Sequence, residues 1–108
     1  VVEASRLPKS SDEEKAARTA AIQDALKAAT EAPLEVMRRC ADALALLPIV
    51  MDKGNQNAAS DVQVARAMLG AGLRGGQLNV EINLGSIKDG DYVSRVRQQS
   101  EALMATVV

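Results

Sequence analysis

The longest stretch with a single periodicity runs from Ser11 to Leu47 and reads SDEEKAARTAAIQDALKAATEAPLEVMRRCADALALL. Ser11 followed by Glu14 has the form of a capping box, in which both side chains accept hydrogen bonds from backbone N–H groups at a helix start. From Ala17 onward, alanine, leucine, isoleucine and methionine recur every three to four residues. This spacing predicts a long amphipathic helix with Ser11 as its N-cap.

Prolines divide this region of the sequence. Pro8 lies in a segment that predicts a break after a short helical remnant at residues 1–5. Pro33 removes one helical hydrogen bond and clashes with the preceding turn. Because the apolar spacing persists on both sides of Pro33, we expect a kinked or restarted helix there and no domain boundary. The opening residue, Val1, leads us to expect a fragment or a processed product.

A second helix is predicted from Ser60, as its N-cap, to Leu84, after a polar loop at residues 52–59. Four glycines interrupt its pattern, and each weakens a helix by roughly 1 kcal/mol relative to alanine. Either the helix breaks at these glycines or the missing side chains let another backbone come close. Gly72 and Gly76, four residues apart, suit a tight helix crossing.

The segment Leu78–Leu84 alternates apolar and polar residues, so its period also fits a strand. We prefer a helix because the segment continues the apolar face of the helix before it and has no second strand to pair with. A turn at residues 86–90 precedes a final helix that begins near Asp89 or Asp91. The sequence therefore predicts an all-α fold: one helical domain over 1–108, an antiparallel bundle of three to four long, partly kinked helices.

The composition is unusual in its side-chain types. The chain has Tyr92 as its single aromatic residue and contains no histidine. An aliphatic core stabilises less per residue than one with aromatic side chains, so we expect a dimer or a longer polypeptide. Without histidine, the usual zinc and iron ligand sets and every Ser-His or Cys-His pair are excluded. We expect chemistry without a metal, carried by carboxylates, lysines, amides and hydroxyls.

The charges are balanced, with 13 basic and 14 acidic residues. No basic stripe is present, so we expect no nucleic-acid partner. No apolar run is long enough to span a bilayer and no signal-peptide pattern is present, so we expect no membrane association. A single cysteine, Cys40, excludes an internal disulfide and agrees with a reducing, cytoplasmic setting.

The polar segment between the two long predicted helices, residues 53–61, is the first candidate site. It concentrates a cation, amides, a hydroxyl and a carboxylate at a helix N-terminus: Lys53, Asn55, Asn57, Ser60 and Asp61. A helix N-terminus offers unpaired N–H groups and a positive dipole end, which suit an anion or a polar heterocycle. The alternative is that these residues only end one helix and cap the next.

The second candidate site is the pair Asn79 and Asn83 on the apolar side of the second long helix. Asparagine is a poor helix former and is costly to bury without partners. Two asparagines one turn apart therefore indicate a hydrogen-bonding pair that faces a ligand or a partner helix. The alternative is a surface pair or a network between helices.

Four motifs, in this order and with these separations, resemble one family: RLPK at 6–9, APL at 32–34, KGNxNxxSD at 53–61 and NVxINLxSIKD at 79–89. The chain resembles the C-terminal half of the formimidoyltetrahydrofolate cyclodeaminase and methenyltetrahydrofolate cyclohydrolase family. The resemblance implies an all-helical homodimer and a longer domain of which this chain is the C-terminal part. It also implies a tetrahydrofolate derivative as substrate.

The two reactions that the resemblance implies both move protons at a one-carbon bridge of the folate. The cyclohydrolase adds water to a methenyl carbon and yields the formyl product, and the cyclodeaminase closes a ring with loss of ammonia. By position in the matching motifs, Asp61 would transfer the proton or stabilise charge, and Lys53 would hold the substrate or modulate Asp61. The asparagines of both candidate sites would orient the pterin.

Two other functions stay open. The first is a helical interaction or dimerisation module of the same lineage that lacks a complete catalytic site. The second is a helical bundle in which the polar segment only caps helices.

Overall fold

The computed structural model describes residues 1–53 and 58–106, which form four helices and no strand. They are α1 (Val2–Ser5), α2 (Asp12–Lys53), α3 (Ala59–Leu84) and α4 (Gly90–Met104). The prediction of an all-α fold is confirmed. The segment 78–84 lies in α3, so its alternating pattern belongs to a helix, as expected.

Helix α2 starts where the sequence predicts. The Glu14 amide donates to the Ser11 hydroxyl oxygen at 3.1 Å, which satisfies one of the N–H groups of the first turn. The Glu14 carboxylate accepts from the Ser10 hydroxyl at 2.7 Å instead of reaching the Ser11 backbone. The helix then continues through Pro33 and Pro48 without a restart.

The boundary between α2 and α3 differs from the prediction. Asp52 and Lys53 still belong to α2, and α3 begins at Ala59 with Ala58 as its N-cap and no side-chain capping bond. The prediction of Ser60 as N-cap is therefore wrong. Ala58, with φ −97° and ψ 8°, already turns in the helical sense, so Ser60 falls inside the first turn.

Helices α2 and α3 run antiparallel. The Asn83 side chain, near the C-terminal end of α3, donates a hydrogen bond to Ala29 in the first half of α2. Gly72, which comes earlier in α3, lies against Cys40, which comes later in α2. The two helices share a core in which Leu34 and Leu73 are completely buried.

At Gly76, α3 comes close to the backbone of α2. A Cβ atom added at Gly76 would lie 2.7 Å from the Met37 Cγ and 3.0 Å from the Pro33 carbonyl oxygen. Real side chains do not come this near, so the missing Cβ allows the crossing. Of the two alternatives for the glycine cluster, close packing in an unbroken helix is confirmed.

Helix α4 packs beside α2 and α3 over the first half of α2. Asp89 caps it by accepting a hydrogen bond from the Tyr92 amide at 3.1 Å, which decides between the two predicted starts near Asp89 and Asp91. Its buried side chains, Tyr92, Val96 and Ser100, follow the three-to-four spacing of one helical face. Arg97 forms two hydrogen bonds with the Glu81 carboxylate of α3, at 3.1 and 3.0 Å.

The end of α2 and the beginning of α3 form a two-helix arm, which we define as residues 44–53 and 58–69. The described residues measure 67 × 24 × 15 Å, so the arm makes the molecule long and thin. Large apolar side chains of the arm are exposed, including Leu46, Ile49, Val64 and Met68. No helix in the described ranges combines the length and apolarity needed to cross a membrane.

Candidate functional site

An open groove lies between α2 and α3 where Pro33 of α2 faces the last turns of α3. Its volume is about 410 Å³, which falls within the ~300–1,000 Å³ of small-molecule sites. Its lining comes from both helices: Ala29, Ala32, Pro33, Val36, Asn79, Ile82 and Asn83.

The groove lies on the side of the α2–α3 pair that faces away from α4. On α3, Glu81 points to α4, where Arg97 binds it, whereas Asn79 and Ile82 line the groove. Three and four residues along a helix lie on one face, and adjacent residues do not. The groove therefore faces away from α4. It is open to solvent, and 72% of the Ile82 surface is exposed.

The two asparagines of the second candidate site both line this groove, so the structure brings them together. Asn83 is half-buried, and its Nδ2 donates to the Ala29 carbonyl oxygen at 3.2 Å. Asn79, one turn earlier, is exposed in the groove. Asn83 thus makes a contact between the helices, and Asn79 beside it is accessible to a ligand.

The groove can bind but has no group of its own that moves a proton. Its lining consists of alanine, proline, valine and isoleucine carbon atoms with two neutral carboxamides. Such a surface suits a flat, polar heterocycle, which makes apolar contacts through its faces and hydrogen bonds at its edge. General acid–base catalysis needs a titratable side chain, so such a group would have to come from outside the groove.

The first candidate site lies at the other end of α3. Lys53 is exposed at the end of α2, and Ser60 and Asp61 are exposed in the first turn of α3. Asn55 and Asn57 lie outside the described residues. The site near Asp61 is therefore described only in part.

Within one chain, the structure does not bring the two candidate sites together. Asp61 and Asn79 are both in α3, eighteen residues apart. A rise of 1.5 Å per residue puts them roughly 27 Å apart along the helix axis. The catalytic roles of Asp61 and Lys53 stay predictions.

A charged cluster on the α4 side serves structure. The Lys27 Nζ lies 2.8 Å from the Asp89 Oδ2 and 5.2 Å from the centre of the Tyr92 ring, and the Tyr92 hydroxyl donates to the Lys27 carbonyl oxygen at 3.1 Å. The hydrogen bond between the two side chains raises the pKa of Lys27 and lowers that of Asp89. Desolvation raises the pKa of the Tyr92 phenol. The cluster joins α4 to α2.

Sequence reasoning missed most of the groove wall. Ala29, Pro33 and Ile82 carry no polar group that would mark them as site residues. The available signal was a mid-helix proline preceded by the small residues Ala29 and Ala32, together with an isoleucine between two asparagines. Among the described residues, no three acidic or cysteine side chains come together as metal ligands. The prediction of chemistry without a metal stays a prediction.

Comparison with known proteins agrees with the motif order. The family model described as formiminotransferase-cyclodeaminase matches residues 1–102. A methenyltetrahydrofolate cyclohydrolase of Methylorubrum extorquens is 46% identical over 99 residues, which cover 92% of this chain and 48% of that protein. Formimidoyltransferase-cyclodeaminases of Sus scrofa and Gallus gallus are each 35% identical over 103 residues, covering 95% of this chain and 19% of each relative.

The chain spans about half the length of the cyclohydrolase and a smaller share of the cyclodeaminases. The match extends over nearly all of the chain and includes the groove and both candidate sites. The chain therefore belongs to the formiminotransferase-cyclodeaminase family.

Proposed function

We propose that the chain is the folate-binding part of a one-carbon enzyme that hydrolyses methenyltetrahydrofolate to formyltetrahydrofolate or cyclises formimidoyltetrahydrofolate with release of ammonia. The observation that carries the proposal is the groove, in which Asn79 and Asn83 stand against an apolar wall. Higher identity to the cyclohydrolase, 46% against 35%, favours the hydrolytic reaction. The folate is the substrate, and no metal takes part.

In this proposal the groove holds the heterocycle and a carboxylate from a second copy of the chain completes the site. The groove itself has no proton-transferring group, and Asp61 is roughly 27 Å away in the same chain. In a homodimer whose α3 helices run antiparallel, the Asp61 end of one copy meets the Asn79 end of the other. Exposed apolar side chains of the arm and the groove, such as Met68 and Ile82, supply surface for this contact.

Lys53 is the last residue of α2 and Ser60 lies in the first turn of α3, so both lie at the same end of the helix pair as Asp61. In the dimer, Lys53 would hold the anionic part of the folate or modulate Asp61, and Ser60, Asn55 and Asn57 would donate hydrogen bonds. The proposal places the protein in the cytoplasm, in keeping with the unpaired Cys40.

Ligand-induced thermal stabilisation tests the binding step. A ligand at 100 times its Kd stabilises the folded state by about 2.7 kcal/mol, so a stable reduced folate should raise the Tm by several degrees. Asn79→Ala should weaken binding about tenfold, since it removes one hydrogen bond in the groove. Gln98→Ala, at an exposed position of α4, is the matched control and should bind as the unchanged chain does. Absence of any shift in the unchanged chain would contradict the proposal.

An interaction module of the same lineage is the second candidate, and one observation favours it. The arm exposes Leu46, Ile49, Val64 and Met68, an apolar surface of the kind that marks a contact with another protein. Such a module would associate through this surface without binding folate. The folate titration therefore separates the two functions, because only the enzyme gains stability from the ligand.

A further inference from the structure

Pro33 leaves a backbone acceptor of α2 without its normal donor. In an α-helix the N–H of each residue binds the carbonyl four residues earlier. For the Ala29 carbonyl that donor would be residue 33, and proline has no N–H. The freed carbonyl lies in the groove wall, where Ala29 and Pro33 are neighbours.

The side chain of Asn83 supplies the missing donor from the other helix. Its Nδ2 lies 3.2 Å from the Ala29 carbonyl oxygen, across the α2–α3 contact. A carboxamide carries two N–H donors and one oxygen acceptor, so this bond uses one of its two donors.

Gly76 brings α3 close enough for this bond. It precedes Asn83 by seven residues, about two helical turns, so both lie on the face of α3 that contacts α2. Its backbone passes so near the Pro33 carbonyl that an added Cβ would lie 3.0 Å from that oxygen. Gly76 and Asn83 thus contact α2 on both sides of the proline.

We propose that Asn83 is a positioning residue, which binds the carbonyl freed by Pro33 and so fixes the floor of the groove, while Asn79 is the residue that contacts the ligand. The ligand contact of Asn79 rests on the proposed function. The positioning role of Asn83 rests on the Asn83–Ala29 contact alone. Asn79 is exposed in the groove, whereas Asn83 is half-buried and donates one N–H to the Ala29 carbonyl oxygen.

A double-mutant cycle tests the link between Asn83 and Pro33 without any ligand. Asn83→Ala should lower the Tm by about 4 °C, the effect of losing one hydrogen bond in a domain of this size. In the Pro33→Ala background, residue 33 regains its N–H and serves the Ala29 carbonyl, so Asn83→Ala should then lower the Tm by less than half as much. Equal losses in both backgrounds would overturn the proposal.

The second measurement is the Kd for a stable reduced folate, taken at a temperature where every variant is folded. Asn83→Ala should weaken binding about tenfold if the floor of the groove depends on it. Gln23→Ala is the control, since Gln23 makes two hydrogen bonds to the backbone of residues 86 and 88, away from the groove. It should lower the Tm by a similar amount and leave the Kd unchanged.

The outcomes separate the two proposals. Stability coupling with an unchanged Kd in Asn83→Ala, while Asn79→Ala binds weakly, would overturn the positioning role and leave the proposed function standing. Failure of the unchanged chain to bind folate would overturn both the proposed function and the groove role of Asn83. The stability cycle would still decide whether Asn83 serves the carbonyl freed by Pro33.

Discussion

Two neighbouring glycines of α3 have opposite surroundings. A Cβ at Gly76 would meet Met37 at 2.7 Å and the Pro33 carbonyl oxygen at 3.0 Å, whereas one at Gly75 would meet nothing within 4 Å. We expect Gly76→Ala to destabilise the protein by about 1–3 kcal/mol, because the backbone of α2 would have to move. Gly75→Ala is the matched control and should stabilise it by about 0.5–1 kcal/mol through helix propensity. Urea unfolding measures both, and equal effects would show that the crossing is loose.

The ion pair between Lys27 and Asp89 gives stability a dependence on pH. The hydrogen bond from Lys27, and then the one from the Tyr92 amide, hold the pKa of Asp89 below its ordinary value. A lowered pKa gives stability that is complete above the unfolded pKa of about 3.9 and is lost as pH falls through the folded value. Asp89→Asn keeps a capping side chain but removes the ion pair.

We therefore expect Asp89→Asn to lower the Tm at pH 7 by a few degrees at most, because the pair is half-exposed. This difference from the unchanged protein should shrink as pH falls below about 4. Asp42→Asn, at an exposed position of α2, is the control. Thermal unfolding from pH 7 to pH 3 measures the effect, and a difference that grows on acidification would contradict the assignment.

Between elements, the Gln23 side chain of α2 binds the backbone of the turn from α3 to α4 at two points. The Gln23 Nε2 donates to the Ser86 carbonyl oxygen at 3.1 Å, and the Gln23 Oε1 accepts from the Lys88 amide at 2.8 Å. Gln23→Ala should destabilise the protein by about 1–2 kcal/mol, since both bonds are lost. The Lys88 amide should exchange its hydrogen faster than in the unchanged protein.

Hydrogen exchange followed residue by residue measures this effect of Gln23→Ala. Gln98→Ala on the exposed face of α4 is the control and should leave the exchange of the Lys88 amide unchanged. Unaltered protection of Lys88 in Gln23→Ala would show that packing alone holds the turn in place.

Local sequence rules did not decide whether one helix continues through Pro33 and Pro48. The sequence left a kink and a restart open at Pro33, and α2 is continuous through both prolines. The packing of α3 against Pro33 supplies contacts and a hydrogen bond that an isolated helix would lack. Tertiary contacts thus override the local preference of proline to end a helix.

At the scale of the whole molecule, the distance between Asp61 and Asn79 within one chain makes the proposed dimer testable. Asp61→Asn should lower turnover of methenyltetrahydrofolate by about 10²–10⁴, the usual loss on removing a general acid or base. Asn79→Ala should weaken substrate binding. If each site takes Asp61 from one copy and Asn79 from the other, a mixed dimer of the two variants retains one intact site.

At a substrate concentration well below KM, where each variant alone has low activity, co-refolding equal amounts of the two variants should then restore about a quarter of the normal activity, as expected for random pairing in a twofold dimer. Absorbance of the methenyl group follows the reaction. Each variant refolded alone is the control. Activity no higher than the mean of the two controls would show that Asp61 of one copy and Asn79 of the other do not form a shared site.

The amino-acid order alone was enough for the helical class, the helix start at Ser11, a last helix that begins near Asp89 or Asp91, and the family. Each of these depends on neighbours within a few turns: apolar spacing, capping side chains and glycines, or motifs in sequence. The asparagine pair was also visible, because two amides on an apolar face conflict with helix propensity.

Long-range packing settled the rest. The groove exists because Gly76 lets α3 approach Pro33, and its lining residues come from positions about fifty residues apart in the chain. The distance from Asp61 to Asn79 follows from α3 being one unbroken helix. Contacts of this kind join residues far apart in sequence, so no local spacing encodes them, and the site takes its shape only when the helices pack.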